Sequence, residues 1–450
     1  MKFAYTLFIV ILGSLFIECS YIQAQIISTP QIGLPNIPKI QPNNSIYPQS
    51  LNNRFNQKDQ QTAIIQEVQA HQRMLQETAN KKEQTDLRNE IQRQADVIML
   101  TKYGFPSQSE YEGTTAFYTA FEEISSMLNG TQNQNLRRTV FLVENAWYNN
   151  RYDYNEYSNA IKSAIDICNQ KIEEEKLDKN NNLVKNMMLF RFISDTLQTK
   201  DKATGKTQSH LPVKYNYDDY KSEINFDSHF VTTLMQTGKG QCLSMPMYYL
   251  ILAEEIGADA YWAFSPHHSF IKIQDEKGIW YNLELTCKAI LSDAHYMNSS
   301  YIKAEALQNK IYLEPMDKTN VIAEMLLELA RGYYQKYGYD DFYLKCIDTA
   351  QQYLKNDLNA KMLRSAYETR LTLTLAHLLN APNPDTMKEI SLEAYKHYEL
   401  MQAQYKEIDN MGYEELPVGM YALWLDHIAK EKRKAEIIKQ PSILIKERSK

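Results

Sequence analysis

Glycine and proline are scarce in this chain, at 14 each in 450 residues, about 3% apiece against usual shares of roughly 7% and 5%. So few turn-formers exclude a protein built from many tight hairpins and point to long helices. Cysteine is scarcer still, with five in all. Setting Cys19 aside with the N-terminal segment leaves Cys168, Cys242, Cys287 and Cys346. Four in so long a chain make no disulfide framework, and their spacing matches no zinc motif. An excess of basic charge is also missing: the formal net charge is −6, whereas a general nucleic-acid binder carries a basic stripe. The one basic cluster, "AKEKRKAEIIK" near the end, reads as a solvated helix end. Beyond the N-terminus no segment is apolar enough to cross a bilayer.

What is present is ordinary for globular protein, with 44% hydrophobic and 23% charged residues. The length leaves room for two or three domains. The opening "MKFAYTLFIVILGSLFIECSYIQAQ" has Lys2, an apolar run ending near Ile17, and Ala24 before Gln25. That is the pattern of a secretory signal peptide over 1–24. It predicts an exported protein, periplasmic or associated with the cell envelope. Glu18 before Cys19 fits a lipoprotein cleavage site poorly.

Residues 25–57 are rich in Pro, Asn, Gln and Ser and read as a disordered linker. From 58 to 100 proline vanishes, and Ile64, Val68, Leu75, Leu87, Ile91 and Ile98 fall at helical spacings, predicting a long exposed helix. Four segments within 101–198 carry apolar helical faces: "TAFYTAFEEISSML", "NLRRTVFLVENAWY", "YSNAIKSAIDICNQKI" and "VKNMMLFRFISDTL". The stretch 199–229 reads as a long irregular loop, of a length that is often functional. After 318 the pattern is helical again. Ala330, Tyr333, Tyr334, Ala350, Tyr353 and Ala360 space small and aromatic residues as in tetratricopeptide-like helix pairs over 318–430. A basic tail of 431–450 follows.

Between 199 and 317 the character changes. In "GKGQCLSMPMYYLILAEEIG" a helix begins near Cys242, with Met245, Tyr249, Leu252 and Ile256 on one buried face. Pro246 sits in its first turn, where a missing N–H costs little. "DAYWAFS", "SFIKIQD" and "IWYNLEL" read as successive strands, the last two joined by "DEKG". A nucleophilic cysteine needs a helix N-terminus and a neighbouring histidine. Cys242 opens the helix, and "SPHHSFIKI" begins a strand 26 residues on. On the following strand Asn282 and Glu284 share a face by the period of two, so either could orient the imidazole.

A cysteine on a helix, then a histidine and a carboxylate on two following strands, resembles the transglutaminase-like branch of the papain-like fold. The residues that carry the resemblance are "GKGQCLSMPMYYLILAEEIG", "PHHSFIKI" and "WYNLELT". It implies an α+β, predominantly helical protein with a small core in which the cysteine helix packs on antiparallel strands. The whole chain is similar to exported bacterial proteins that join this core to a helical repeat region. The resemblance implies Cys242 as nucleophile, His268 as base and Glu284 as third member, with Asn282 as the alternative. Gln236, six residues before Cys242, and the adjacent Gln241 are candidates for an oxyanion hole, beside the backbone N–H of Cys242. His267 is the structural neighbour of His268. The implied chemistry is acyl transfer on a peptide or protein substrate through a thioester, ending in hydrolysis or transamidation. It involves no cofactor, no metal and no nucleic acid. The competing expectation is a non-catalytic scaffold, whose C-terminal helices hold a protein partner.

Overall fold

The computed structural model of the chain describes residues 81–200, 205, 207–414 and 430. The expected signal peptide, the linker 25–57, the first part of the helix expected over 58–100 and the basic tail lie outside the described residues. The protein is α+β and mostly helical, with small sheets.

Among the described residues five helices come first: α1 (Lys81–Tyr103), α2 (Thr114–Leu128), α3 (Leu136–Trp147), α4 (Tyr154–Glu174) and α5 (Asn182–Ser194). Their starts follow capping chemistry. Asn135, Asp153 and Asn181 each accept a first-turn backbone N–H on the side chain. The sequence reads α1 as exposed; in the structure Ile91, Val97, Met99 and Leu100 are buried. The apolar stripe of α1 has a partner in the C-terminal helices, where His397 Nε2 reaches the Thr101 carbonyl at 3.2 Å.

The stretch read as an irregular loop contains more structure than its composition announces. Strands β1 (Leu197–Lys200) and β2 (Thr207–His210) form an antiparallel hairpin. Then come β3 (Lys214–Tyr215), a 3-10 turn Phe226–His229, α6 (Val231–Thr237) and β4 (Lys239–Gly240), with β3 parallel to β4. Helix α7 (Ser244–Ile256) follows. The sequence gives it one buried face, but Ser244 to Ala253 are buried all round, because α7 packs against α3, α4, α5, α6 and the main sheet at once.

That sheet is an antiparallel meander of β5 (Tyr261–Ser265), β6 (His268–Gln274), β7 (Trp280–Glu284) and β8 (Ala289–Leu291). Its β5 edge is covered by the chain at 313–316, where Leu313 and Met316 donate backbone N–H groups to Phe264 and Trp262 at 2.8 Å each. Two short helices, α8 (Asp293–Ser299) and α9 (Ala304–Gln308), lead to α10 (Lys318–Tyr337), α11 (Asp341–Gln351), α12 (Leu358–Leu378), α13 (Pro384–Ile390) and α14 (Leu392–Asn410). Every described element from 318 to 414 is a helix. Helix α10 packs on α2 and α3 as well as on α11, so one apolar core runs from Val97 to Met411 through all these segments.

Candidate functional site

Cys242 lies in the turn just ahead of α7, two residues before its first helical residue. Two glycines shape that turn. Gly238 ends α6 in the left-handed region at φ 65°, which glycine adopts without a Cβ penalty. At Gly240 the constraint is space: a Cβ there would meet the Leu234 and Met245 side chains at 2.6 Å. The turn is pinned further by the Ser269 hydroxyl, which donates to the Cys242 carbonyl, and by the Gln241 N–H, which donates to Ser244 Oγ at 2.9 Å. None of Cys168, Cys242, Cys287 and Cys346 is in a disulfide. Burial pushes Cys168 up to about 12 and Cys346 well above its ordinary value, so both are inert core residues. Cys287 is exposed.

The β5–β6 hairpin turns on Pro266 and His267, with His267 at φ 59°. Proline fixes the first turn position, and the positive φ of the second directs the chain back. His268 is thereby the first residue of β6. Its Nε2 lies 2.6 Å from Oε2 of Glu284, which leaves Nδ1 as the ring nitrogen for another partner. Cys242 lies close enough to this ring to contribute to its basicity. Burial alone would lower the basicity of His268. The Glu284 charge, the hydrogen bond that the ring donates to it and the nearby Cys242 outweigh it and raise the imidazole to about 10. Glu284 responds in the opposite sense. Burial would raise it, but the His268 charge, its hydrogen bond and the bonds from Thr286 hold it down at about 2.

Glu284 is heavily bonded. Oε1 accepts from the Thr286 backbone N–H at 3.0 Å and hydroxyl at 2.6 Å. Oε2 accepts from the Tyr296 hydroxyl at 2.9 Å in addition to His268. Tyr296 sits on α8 and stacks on Phe270, with ring centroids 4.0 Å apart and planes 10° from parallel. The Glu284 carboxylate beside it and its own burial oppose ionisation, so the phenol stays protonated as a donor.

Asn282 is on the same sheet face but does not reach the imidazole. It pairs across the ladder with Lys272, and its Nδ2 donates to Asp293 Oδ1 at 2.8 Å. The buried Lys272 Nζ donates to both Asp293 oxygens at 2.9 and 3.1 Å and to the Leu313 carbonyl at 2.9 Å. Asn282 and Lys272 therefore anchor the start of α8, the helix that presents Tyr296. Gln236 is exposed on α6. Gln241 is fully buried, and its amide is engaged: Nε2 donates to the Asp219 carbonyl, and Oε1 accepts from Ser222 Oγ at 2.9 Å.

The structure thus brings Cys242, His268 and Glu284 together and holds Asn282 and the side chains of Gln236 and Gln241 in other settings. Sequence reasoning missed Tyr296, Ser269 and Thr286. Thr286 had a faint signal, since it lies two residues past Glu284 on the same strand parity. Tyr296 had none, because a short helix after a strand carries no periodic mark. Tyr215 was also missed. Its backbone pairs with Gly240, and its ionisation is opposed by burial and by charge on Cys242 and Glu284, so its phenol stays neutral beside the site. Among the described residues no cluster of three or more His, Cys, Asp or Glu could hold a metal ion, and no helix is long and apolar enough to cross a membrane. No protein-family model, curated protein or solved structure matches the chain.

Proposed function

We propose that this protein is an exported cysteine-dependent acyl-transfer enzyme with a transglutaminase-like core. Cys242 is its nucleophile, His268 its general base and acid, and Glu284 the orienting carboxylate. The observation that carries the reading is the His268 imidazole bonded to Glu284 Oε2 at 2.6 Å, with Cys242 near enough to raise its basicity, at the entry to α7. The sulfur attacks the carbonyl carbon of a peptide or amide. The C–N bond breaks, the amine leaves with a proton from His268, and a thioester remains. Water then attacks, giving a proton to His268, and the thiol is released with a carboxylic acid; an amine in place of water gives a new amide. The backbone N–H of Cys242 is the oxyanion donor this reading favours, since Gln241 is committed elsewhere and Gln236 is exposed.

One observation favours the scaffold alternative: Cys242 is only 5% exposed. Thiol labelling separates the two. A small haloacetamide across pH, with Cys242→Ala as control, is expected to alkylate Cys242 faster than the exposed Cys287 at neutral pH. Equal or slower labelling of Cys242 gives the scaffold reading the better claim.

A further inference from the structure

The loop between β3 and α6 is folded around one carboxylate. Asp219 Oδ1 accepts the Ile224 N–H at 3.0 Å, and Oδ2 accepts the Asn225 N–H at 3.0 Å and Ser228 Oγ at 2.6 Å. Inside this loop Ser222 is buried and adopts φ 52°. A non-glycine residue in that region is strained, and such strain persists only where the surroundings impose it. The Ser222 hydroxyl donates to Gln241 Oε1 at 2.9 Å. Its oxygen in turn lies 3.3 Å from Nδ1 of the buried His229. On the far side of that ring, Nε2 faces Glu328 Oε2 of α10 at 4.0 Å, and Glu328 is paired with the buried Arg331.

The direction of this chain follows from the Ser222 hydroxyl, which donates to Gln241. Burial and the nearby Arg331 charge push His229 down to about 3, so the ring is neutral at physiological pH. Ser222 spends its one proton on Gln241, so its oxygen is left to accept, and the ring tautomer protonated at Nδ1 completes the chain. Gln241 passes the constraint on, donating Nε2 to the Asp219 carbonyl. Gln241 is also bonded through its backbone to Ser244 and Met245, as N–H to Ser244 Oγ at 2.9 Å and as carbonyl to the Met245 N–H at 3.0 Å. It is therefore fixed on both sides of the peptide that leads into Cys242.

We propose that Ser222 and His229 are positioning residues for Cys242: with Gln241 they form a buried chain, packed against Glu328 of α10, behind the turn that presents the sulfur and its backbone N–H. The proposal rests on Cys242 being the nucleophile. Cores rarely keep a strained, hydroxyl-bearing residue with a neutral histidine behind it when apolar packing would serve stability as well. Here the polar chain fixes one orientation of the Gln241–Cys242 peptide. Small displacements of a reacting group cost rate steeply, up to about 100-fold for 1 Å.

The test uses the folded full chain and alkylation by iodoacetamide, read separately at Cys242 and Cys287 by peptide mass spectrometry. Ser222→Gly removes the hydroxyl while relieving the positive φ, and Glu328→Gln disturbs the chain at its far end. In the wild type, Cys242 labelling faster than Cys287 establishes the nucleophile on which the inference depends. Given that, Ser222→Gly is expected to slow Cys242 about ten-fold or more and to leave the Cys287 rate unchanged, with Glu328→Gln slowing it in the same sense by less. A Cys242 rate within two-fold of wild type in both variants overturns the proposal and leaves the nucleophile intact. Parallel changes at Cys242 and Cys287 also overturn it, because they report general loosening. If Ser222→Gly fails to fold, His229→Phe, which keeps the ring volume without a polar nitrogen, takes its place: a slower Cys242 with Cys287 unchanged supports the proposal, and a Cys242 rate within two-fold of wild type overturns it.

Discussion

Tyr296 and His268 converge on one atom: the phenol donates to Glu284 Oε2 at 2.9 Å, and the imidazole Nε2 meets the same oxygen at 2.6 Å. Two donors on one carboxylate oxygen fix its position more tightly than either alone. The phenol also stacks on Phe270, the residue two before Lys272 on the same face of β6. Tyr296→Phe removes only the donor and keeps the stack, whereas Tyr296→Ala removes both. The expected order is a loss in Cys242 alkylation rate below about ten-fold for Phe. For Ala a further loss is expected, with about 3–5 kcal/mol of stability, read by alkylation kinetics and urea unfolding. An equal loss of rate for both would show that the ring, not the hydroxyl, matters.

How far this site was legible from the sequence depends on register. The period of two puts Asn282 and Glu284 on one face, and that parity cannot choose between them. The choice is made across the ladder: Lys272 pairs with Asn282, so Asn282 is displaced along the sheet from His268 by about 14 Å, while Glu284 lies diagonal to the histidine. The helices of 101–198 were legible because each carries a continuous apolar stripe. The β1–β2 hairpin was not, because "LQTK" and "TQSH" contain little of the β-branched, alternating pattern that announces a strand. The Ser222–His229 chain was illegible for a different reason: its members come from a loop, a 3-10 turn and a distant helix.

Asn282 offers a separation of roles. Its amide holds Asp293 at 2.8 Å, but Lys272 holds the same carboxylate twice, so α8 keeps its anchor without it. Asn282→Ala is expected to change Cys242 alkylation by less than about three-fold, while truncation of the buried side chain costs about 1–3 kcal/mol of stability. Lys272→Met loses both bonds to Asp293 and is expected to lower the alkylation rate through Tyr296. If Asn282→Ala slows alkylation more than Glu284→Gln, the orienting role belongs to Asn282.

Glu144 governs the element that precedes the cysteine turn. From α3 its two carboxylate oxygens accept the Val231 and Thr232 N–H groups at 2.6 and 2.8 Å, capping α6 from another helix. Glu144→Ala leaves both donors buried and unpaired, and is expected to destabilise the fold by about 2–4 kcal/mol in urea. The pH dependence is the reverse of a salt-bridged acid. Burial raises Glu144 to about 7 against the opposing backbone bonds, so the folded state binds its proton more tightly than the unfolded state does. Its contribution is fully present below about pH 4.5 and falls as pH rises to about 7. Wild-type stability relative to Glu144→Gln should decline across that window, and a rise would contradict the assignment.

The His268–Glu284 pair has its own window, bounded on both sides. His268 is raised from 6.5 to about 10 on folding, so its stabilisation is complete below pH 6.5 and is lost as pH climbs towards 10. Glu284 is lowered from 4.5 to about 2, so its stabilisation is complete above pH 4.5 and is lost as pH falls towards 2. The two contributions overlap fully between about pH 4.5 and 6.5. Glu284→Gln keeps the shape and one acceptor oxygen but removes the charge that holds the imidazole protonated. The gap in melting temperature between wild type and Glu284→Gln is therefore expected to be widest in that interval and to narrow towards both extremes. The same substitution is expected to slow Cys242 alkylation at neutral pH, because a neutral amide gives no support to an imidazolium. A melting-temperature gap that is flat with pH, together with an unchanged alkylation rate, would show that Glu284 is a packing residue and that no charged triad stands at the head of α7.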